Sequence, residues 1–145
     1  MKVSTRVEYG LIALIDIVIH GENGASVSAP EIAQRENISH KYLEHILLLL
    51  RQAGFIKAQK GLRGGYTLAC SPDDITLADV LNALDKSILA DMDTTREEGL
   101  GSAVNECFWG KINGNLNSFT GKLTLGEFAS QCRDAGNSKW DMYVI

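Results

Sequence analysis

The sequence predicts a mainly α fold with one small β-hairpin, a winged helix-turn-helix followed by a long helix. Three observations predict it. Two short helical patterns lie on either side of a tight turn between Pro30 and Gly54. A basic, glycine-rich hairpin, Lys60-Gly61-Leu62-Arg63-Gly64-Gly65, follows directly. Further on, Phe108, Ile112, Leu116 and Phe119 recur at spacings of four, four and three, which lays one apolar stripe along a helix.

From Val3 to Ile19, residues Val7, Leu11, Leu14, Ile15 and Val18 share a face and predict an opening helix that stops near Gly21-Glu22-Asn23-Gly24. Pro30 tolerates the missing N–H of a first helical turn, so Pro30–Arg35 reads as the first helix of the motif, with Ile32 and Ala33 turned inward. Glu36-Asn37-Ile38 is the turn. Ser39 offers an oxygen to the free N–H groups of the second helix, whose Tyr42, Leu43, Ile46, Leu47 and Leu50 repeat at helical spacing up to Gly54. Residues 55–60 and 66–69 read as strands around the glycine turn, which makes the hairpin a wing. Thr76 caps a helix running to Leu84. Residues 85–100 lose periodicity and gather Asp91, Asp93, Glu97 and Glu98 in a loop; a long helix then spans about 102–120, weakened by Gly110 and Gly114. Thr124 caps a short last helix through Ala129, and a tail ends in Trp140-Asp141-Met142-Tyr143-Val144-Ile145. The domain boundaries expected are therefore 1–84, a loop at 85–101, helices over 102–132 and a tail over 133–145.

Such a motif points to double-stranded DNA, and the charge distribution allows it. The net charge is −4 over 145 residues, yet residues 1–72 hold eight Lys/Arg and six Asp/Glu, net +2, while residues 73–145 hold six and twelve, net −6. Phosphate attraction follows local charge, so an acidic second half can accompany a DNA-reading first half. Residues at the start of a recognition helix reach base edges, which nominates His40, Lys41 and Glu44, with Ser39 as a cap that can also meet phosphate. Lys60 and Arg63 flank the wing turn and suit a minor groove or its phosphates; Lys2, Ser4, Thr5 and Arg51 are backbone candidates.

Other classes find less support. The longest apolar run, Leu11 to Ile19, is broken by Asp16 and falls short of the roughly 20 residues of a membrane span. Lys2 and Arg6 are followed by Glu8 and an amphipathic run rather than a signal-peptide core, so a cytoplasmic protein without membrane contact is expected. His20, His40 and His45 fall on separate helical faces, and no Ser/His/Asp or paired-carboxylate arrangement stands out, so no catalytic residues are assigned and no enzyme is expected.

Several separated motifs carry a family resemblance. They are the opening Met1–Leu11, Ile32-Ala33, Ser39–Glu44, Leu50–Gly54, Lys60–Tyr66, Ile75–Val80, Phe108-Trp109 and Leu123–Leu125. Together and in this order they resemble the IscR/NsrR/CymR family of bacterial transcription regulators, over most of the chain. The resemblance implies a homodimeric winged-helix repressor or activator, with a repressor expected, that reads a palindromic operator, with the helix near residues 102–120 exchanged or packed across the dimer. Many members hold an iron-sulfur cluster on three closely spaced cysteines before that helix. Residues 85–103 here contain no cysteine, Ala103 stands six residues before Trp109 where the last ligand is expected, and Cys70, Cys107 and Cys132 lie 37 and 25 residues apart. No metal site and no cofactor are therefore expected.

The cluster-free branch typified by CymR is then the nearer resemblance. It implies control of cysteine and sulfur metabolism with cysteine synthase as a protein co-regulator, engaged through a tail similar to this one. Trp140, Tyr143 and Ile145 are the partner-binding candidates, with the terminal carboxylate taken by backbone N–H groups and the side chains by apolar pockets. The other reading packs the tail on its own dimer, anchored by Trp140. The alternative function is a redox-sensing or iron-sulfur-sensing regulator of the same family that uses Cys107, a position that otherwise reads as a small buried core residue.

Overall fold

The computed structural model describes residues 2–90 and 96–143, with residues 138–143 described by backbone alone. Helix α1 (Thr5–His20) begins where the Ser4 hydroxyl accepts from the Val7 N–H at 3.3 Å. It is buried more completely than a one-sided stripe predicts: Val7, Ala13, Leu14, Ile15, Ile17 and Val18 are all inside. That makes it the central post of the core. Helix α2 (Ala29–Glu36) ends at Asn37, whose left-handed φ of 53° turns the chain toward α3 (His40–Gln52). Ile32 from α2 and Leu43, Ile46, Leu47 and Leu50 from α3 close on Leu14 and Ile17. An edge-to-face contact of Tyr9 with Tyr42, ring centres 5.7 Å apart, fixes α1 against the first turn of α3.

Strands β1 (Ile56–Gln59) and β2 (Gly65–Leu68) pair antiparallel, with Ile56 opposite Leu68 and Gln59 opposite Gly65. The turn needs glycine twice. Gly61 holds φ 110°, and a Cβ on Gly65 would stand 2.7 Å from the Val27 carbonyl. That approach lets Val27 and Tyr66 exchange both backbone hydrogen bonds, at 2.9 and 2.7 Å, so the wing is bolted to the segment before α2.

A single 3₁₀ turn (Pro72–Asp74) leads to α4 (Leu77–Leu84), which opens on a reciprocal cap. The Asp79 N–H donates to the Thr76 hydroxyl at 3.2 Å, and the Thr76 N–H donates to the Asp79 carboxylate at 3.0 Å. The second half differs from expectation in two ways. Helices α5 (Gly99–Val104) and α6 (Gly110–Lys122) form one run that starts three residues early and widens to a π turn at Asn105–Trp109, where the Gly110 N–H bonds the Asn105 carbonyl. The last helix, α7 (Leu125–Tyr143), does not stop near Ala129. No proline follows that residue, Cys132 packs on the core at the next turn, and Arg133 forms an ion pair with Glu22 beyond the end of α1. Trp140 and Tyr143 accordingly belong to a helix rather than to an extended tail; Ile145, and the loop acids Asp91 and Asp93, lie outside the described residues. Thr76 and Thr124 pair backbone to backbone, which joins the starts of α4 and α7. Among the described residues no helix is long and apolar enough to cross a membrane.

Candidate nucleic-acid interface

The first turns of α3 display His40, Lys41 and Glu44 to solvent, while Leu43 between them is fully buried. Ser39 is a working cap: its hydroxyl accepts from the Tyr42 N–H at 3.2 Å. His40 Nδ1 lies 3.4 Å from Glu44 Oε1, one turn on, so the two share an exposed pairing. Arg51 is exposed at the far end of the same helix, away from the first turn. Lys2 and Thr5 are exposed at the start of α1, and Ser4 is half-buried with its hydroxyl committed to capping.

The wing carries Lys60 and Arg63 into solvent, and both line a cleft of about 800 Å³ between the wing and the start of α2. Sequence reasoning missed much of that cleft. Ser26 donates to the Arg63 carbonyl and so holds the wing turn, Ser28 caps α2 through the Glu31 N–H at 3.3 Å, and Gln59 donates to the Thr67 hydroxyl at 3.3 Å across the strands. Ser28 was findable as a serine two residues ahead of Pro30, a capping signature. The Ser26 contact spans 37 residues and leaves no local trace.

Behind this face a buried carboxylate ties the motif to the core. Asp16 is 1% exposed and takes both arms of Arg35, from Nε at 3.1 Å and from Nη2 at 2.8 Å. A bidentate pair of this kind fixes the angle between α1 and α2 as well as their separation. Glu36 stands beside it, and burial together with the neighbouring Asp16 carboxylate raises its pKa above the ordinary glutamate range.

The cysteines are dispersed. Cys70 follows β2, Cys107 sits on the π turn, and Cys132 faces the core side of α7, where burial pushes its thiol pKa up. Cys107 is exposed, which corrects the expectation of a small buried residue; the widened turn and the open face of this helical run leave its thiol in solvent. Three thiols on three separate elements do not fit an iron-sulfur cluster, and among the described residues no three His, Cys, Asp or Glu side chains gather to hold a metal ion.

Comparison with known proteins agrees with this architecture. A family profile, Rrf2, described as an iron-dependent transcriptional regulator, matches residues 3–131. IscR of Aliivibrio salmonicida is 31% identical over 129 residues, covering 88% of this chain and 76% of that protein. An HTH-type transcriptional regulator of Synechocystis is 46% identical over 89 residues, 61% of this chain; the match spans only 59% of that relative's length. Among solved structures, CymR (YrzC), the global cysteine regulator of B. subtilis, superposes with a TM-score of 0.81 at 32% identity, covering 90% of this chain and 98% of CymR. These relatives are transcription regulators and not enzymes. By its motifs, its winged helix-turn-helix and the profile match along nearly its whole length, the chain belongs to the Rrf2 family of transcriptional regulators.

Proposed function

We propose that the chain is a homodimeric repressor that reads a palindromic operator, with His40, Lys41 and Glu44 of α3 at base edges in the major groove and Lys60 and Arg63 of the wing at the minor groove or its phosphates. Ser39, Lys2, Ser4, Thr5 and Arg51 serve as backbone contacts. Dimerisation is supported by the helical run from Gly99 to Lys122, which leaves Val104, Phe108, Trp109, Ile112 and Phe119 exposed in the single chain.

The regulated process is proposed to be cysteine and sulfur metabolism, through cysteine synthase as a co-regulator bound by the segment holding Trp140, Tyr143 and Ile145. The likeness to CymR over 90% of the chain is the observation that carries this reading, together with thiols that do not fit a cluster. A pull-down with the full chain and with a chain lacking its last six residues tests it. Recovery of cysteine synthase by the full chain alone is the expected result; recovery by neither removes the co-regulator and leaves the DNA-reading proposal standing.

The exposure of Cys107 on a π turn supports a second reading, redox sensing. It predicts that mild thiol oxidation changes operator affinity in the native chain and not in Cys107→Ser.

A further inference from the structure

Between α1 and α7 lies a cavity of about 430 Å³, within the range of roughly 300–1,000 Å³ that small-molecule sites occupy. Its floor is apolar, made by Leu11, Ile12, Ile15 and Ile19 of α1 and Phe128 of α7. Asp16, His20 and Glu36 meet at its polar edge. The exposed apolar residues of the α5–α6 run, which offer a surface to a second copy, are absent from its lining.

The charges at that edge are out of balance. Glu36 and Asp16 both line that edge, and Arg35, the strong cation beside them among the described residues, is drawn to Asp16 by two hydrogen bonds and stands 3.9 Å from Glu31. His20 reaches Asp16 only at 4.0 Å and adds charge only when protonated. On the α7 side, the cation next to Cys132 in the chain, Arg133, is paired with Glu22. Three carboxylates, Asp16, Glu31 and Glu36, therefore surround one guanidinium, and two of them, Asp16 and Glu36, do so beside an apolar surface, where a second cation gains most.

We propose that this cavity binds a small molecule with an apolar body and a protonated amine, the body on the Ile12–Phe128 floor and the ammonium between Glu36 and Asp16, and that occupancy shifts operator affinity. The coupling has a short route. Asp16 holds Arg35 in the last turn of α2, and Glu36 is the residue before the left-handed Asn37 that aims α3. The site stands independently of the DNA-binding reading, and only the coupling rests on it.

Calorimetric titration of the full chain with phenethylamine, phenethyl alcohol and phenylacetate separates shape from charge. The expected order is the amine, with a dissociation constant of about a millimolar or lower, then the alcohol weaker by about tenfold, then no binding of the acid. Glu36→Gln removes most of the amine's advantage and leaves the alcohol unchanged. Ile12→Trp, which fills the floor, and Gly136→Leu, which narrows the opposite wall where an added Cβ meets nothing within 4 Å, each abolish binding of both. Equal binding of amine and alcohol, amine binding that survives both filling variants, or no binding up to about ten millimolar overturns the site. Saturating amine is expected to change operator affinity by about fivefold or more in the native chain and not in Gly136→Leu. Binding without that change overturns the coupling alone. A chain that retards no duplex while still binding the amine overturns the DNA reading and leaves the site intact.

Discussion

Helices α3 and α6 are each 13 residues long and each carries an apolar stripe, yet they meet opposite fates. In α3 the four residues Leu43, Ile46, Leu47 and Leu50 are wholly buried by the chain's own α1, α2 and β1. In α6 only Thr120 is buried, and Phe119 of its stripe stays 65% exposed. The same periodicity thus marks a surface finished within the chain in one case and an open one in the other. The DNA-reading half is structurally complete in a single copy; the second half presents what a partner copy would cover.

One substitution in each helix separates the two fates. Leu47→Ala should cost about 3 kcal/mol of stability, because the residue is 0% exposed and the surrounding helices cannot collapse onto the gap, and thermal melting would read the loss at any protein concentration. Phe119→Asp should leave the stability of the separated chain within about 0.5 kcal/mol and weaken self-association by about tenfold or more, measured by sedimentation equilibrium. If Phe119→Asp unfolds the chain instead, α6 is not an open surface.

Within the DNA-reading half, Arg63→Ala should weaken binding to every sequence alike and reduce the slope of log affinity against log salt by about one unit. An unchanged slope removes Arg63 from the phosphate contacts. The smallest effect is electrostatic. The Glu36 pKa is raised in the folded chain, so the stability it contributes is present in acid and is lost as pH rises through the folded value. Glu36→Gln should therefore stabilise the chain modestly at neutral pH, with the gain vanishing below the ordinary glutamate range; denaturant midpoints at several pH values check the sign.

Local signals account for what was legible. Ser39, Thr76 and Thr124 cap helices through their hydroxyls as their positions predict, whereas the Ser4 cap of α1 was not read from the sequence; the Gly61–Gly65 turn forms the wing because only glycine fits against Val27. The nominated contact residues other than Ser4 are exposed, as the α3 pattern and the wing turn require. What escaped was long-range. Asp16 interrupts an apolar run and read only as an obstacle to membrane insertion, whereas it is the buried partner of Arg35, 19 residues away. A lone carboxylate on a buried helical face does call for a cation, but nothing in the local pattern names which one. Helix α7 outran its expected end because its later turns are held by Cys132 on the core and Arg133 on Glu22 rather than by a dense apolar stripe. The cavity beneath α7 depended on that extension and could not be anticipated without it.

A reading head completed within one chain and an open helical face beside it imply that the chain acts on DNA in pairs. Selection of duplexes from a random pool by the full chain, followed by sedimentation of the selected duplex at saturation, tests it most directly. The expected outcome is a palindromic sequence carrying two chains, with binding that falls steeply as salt rises. A pool that yields no preferred sequence, or a saturated duplex that carries a single chain, would contradict it.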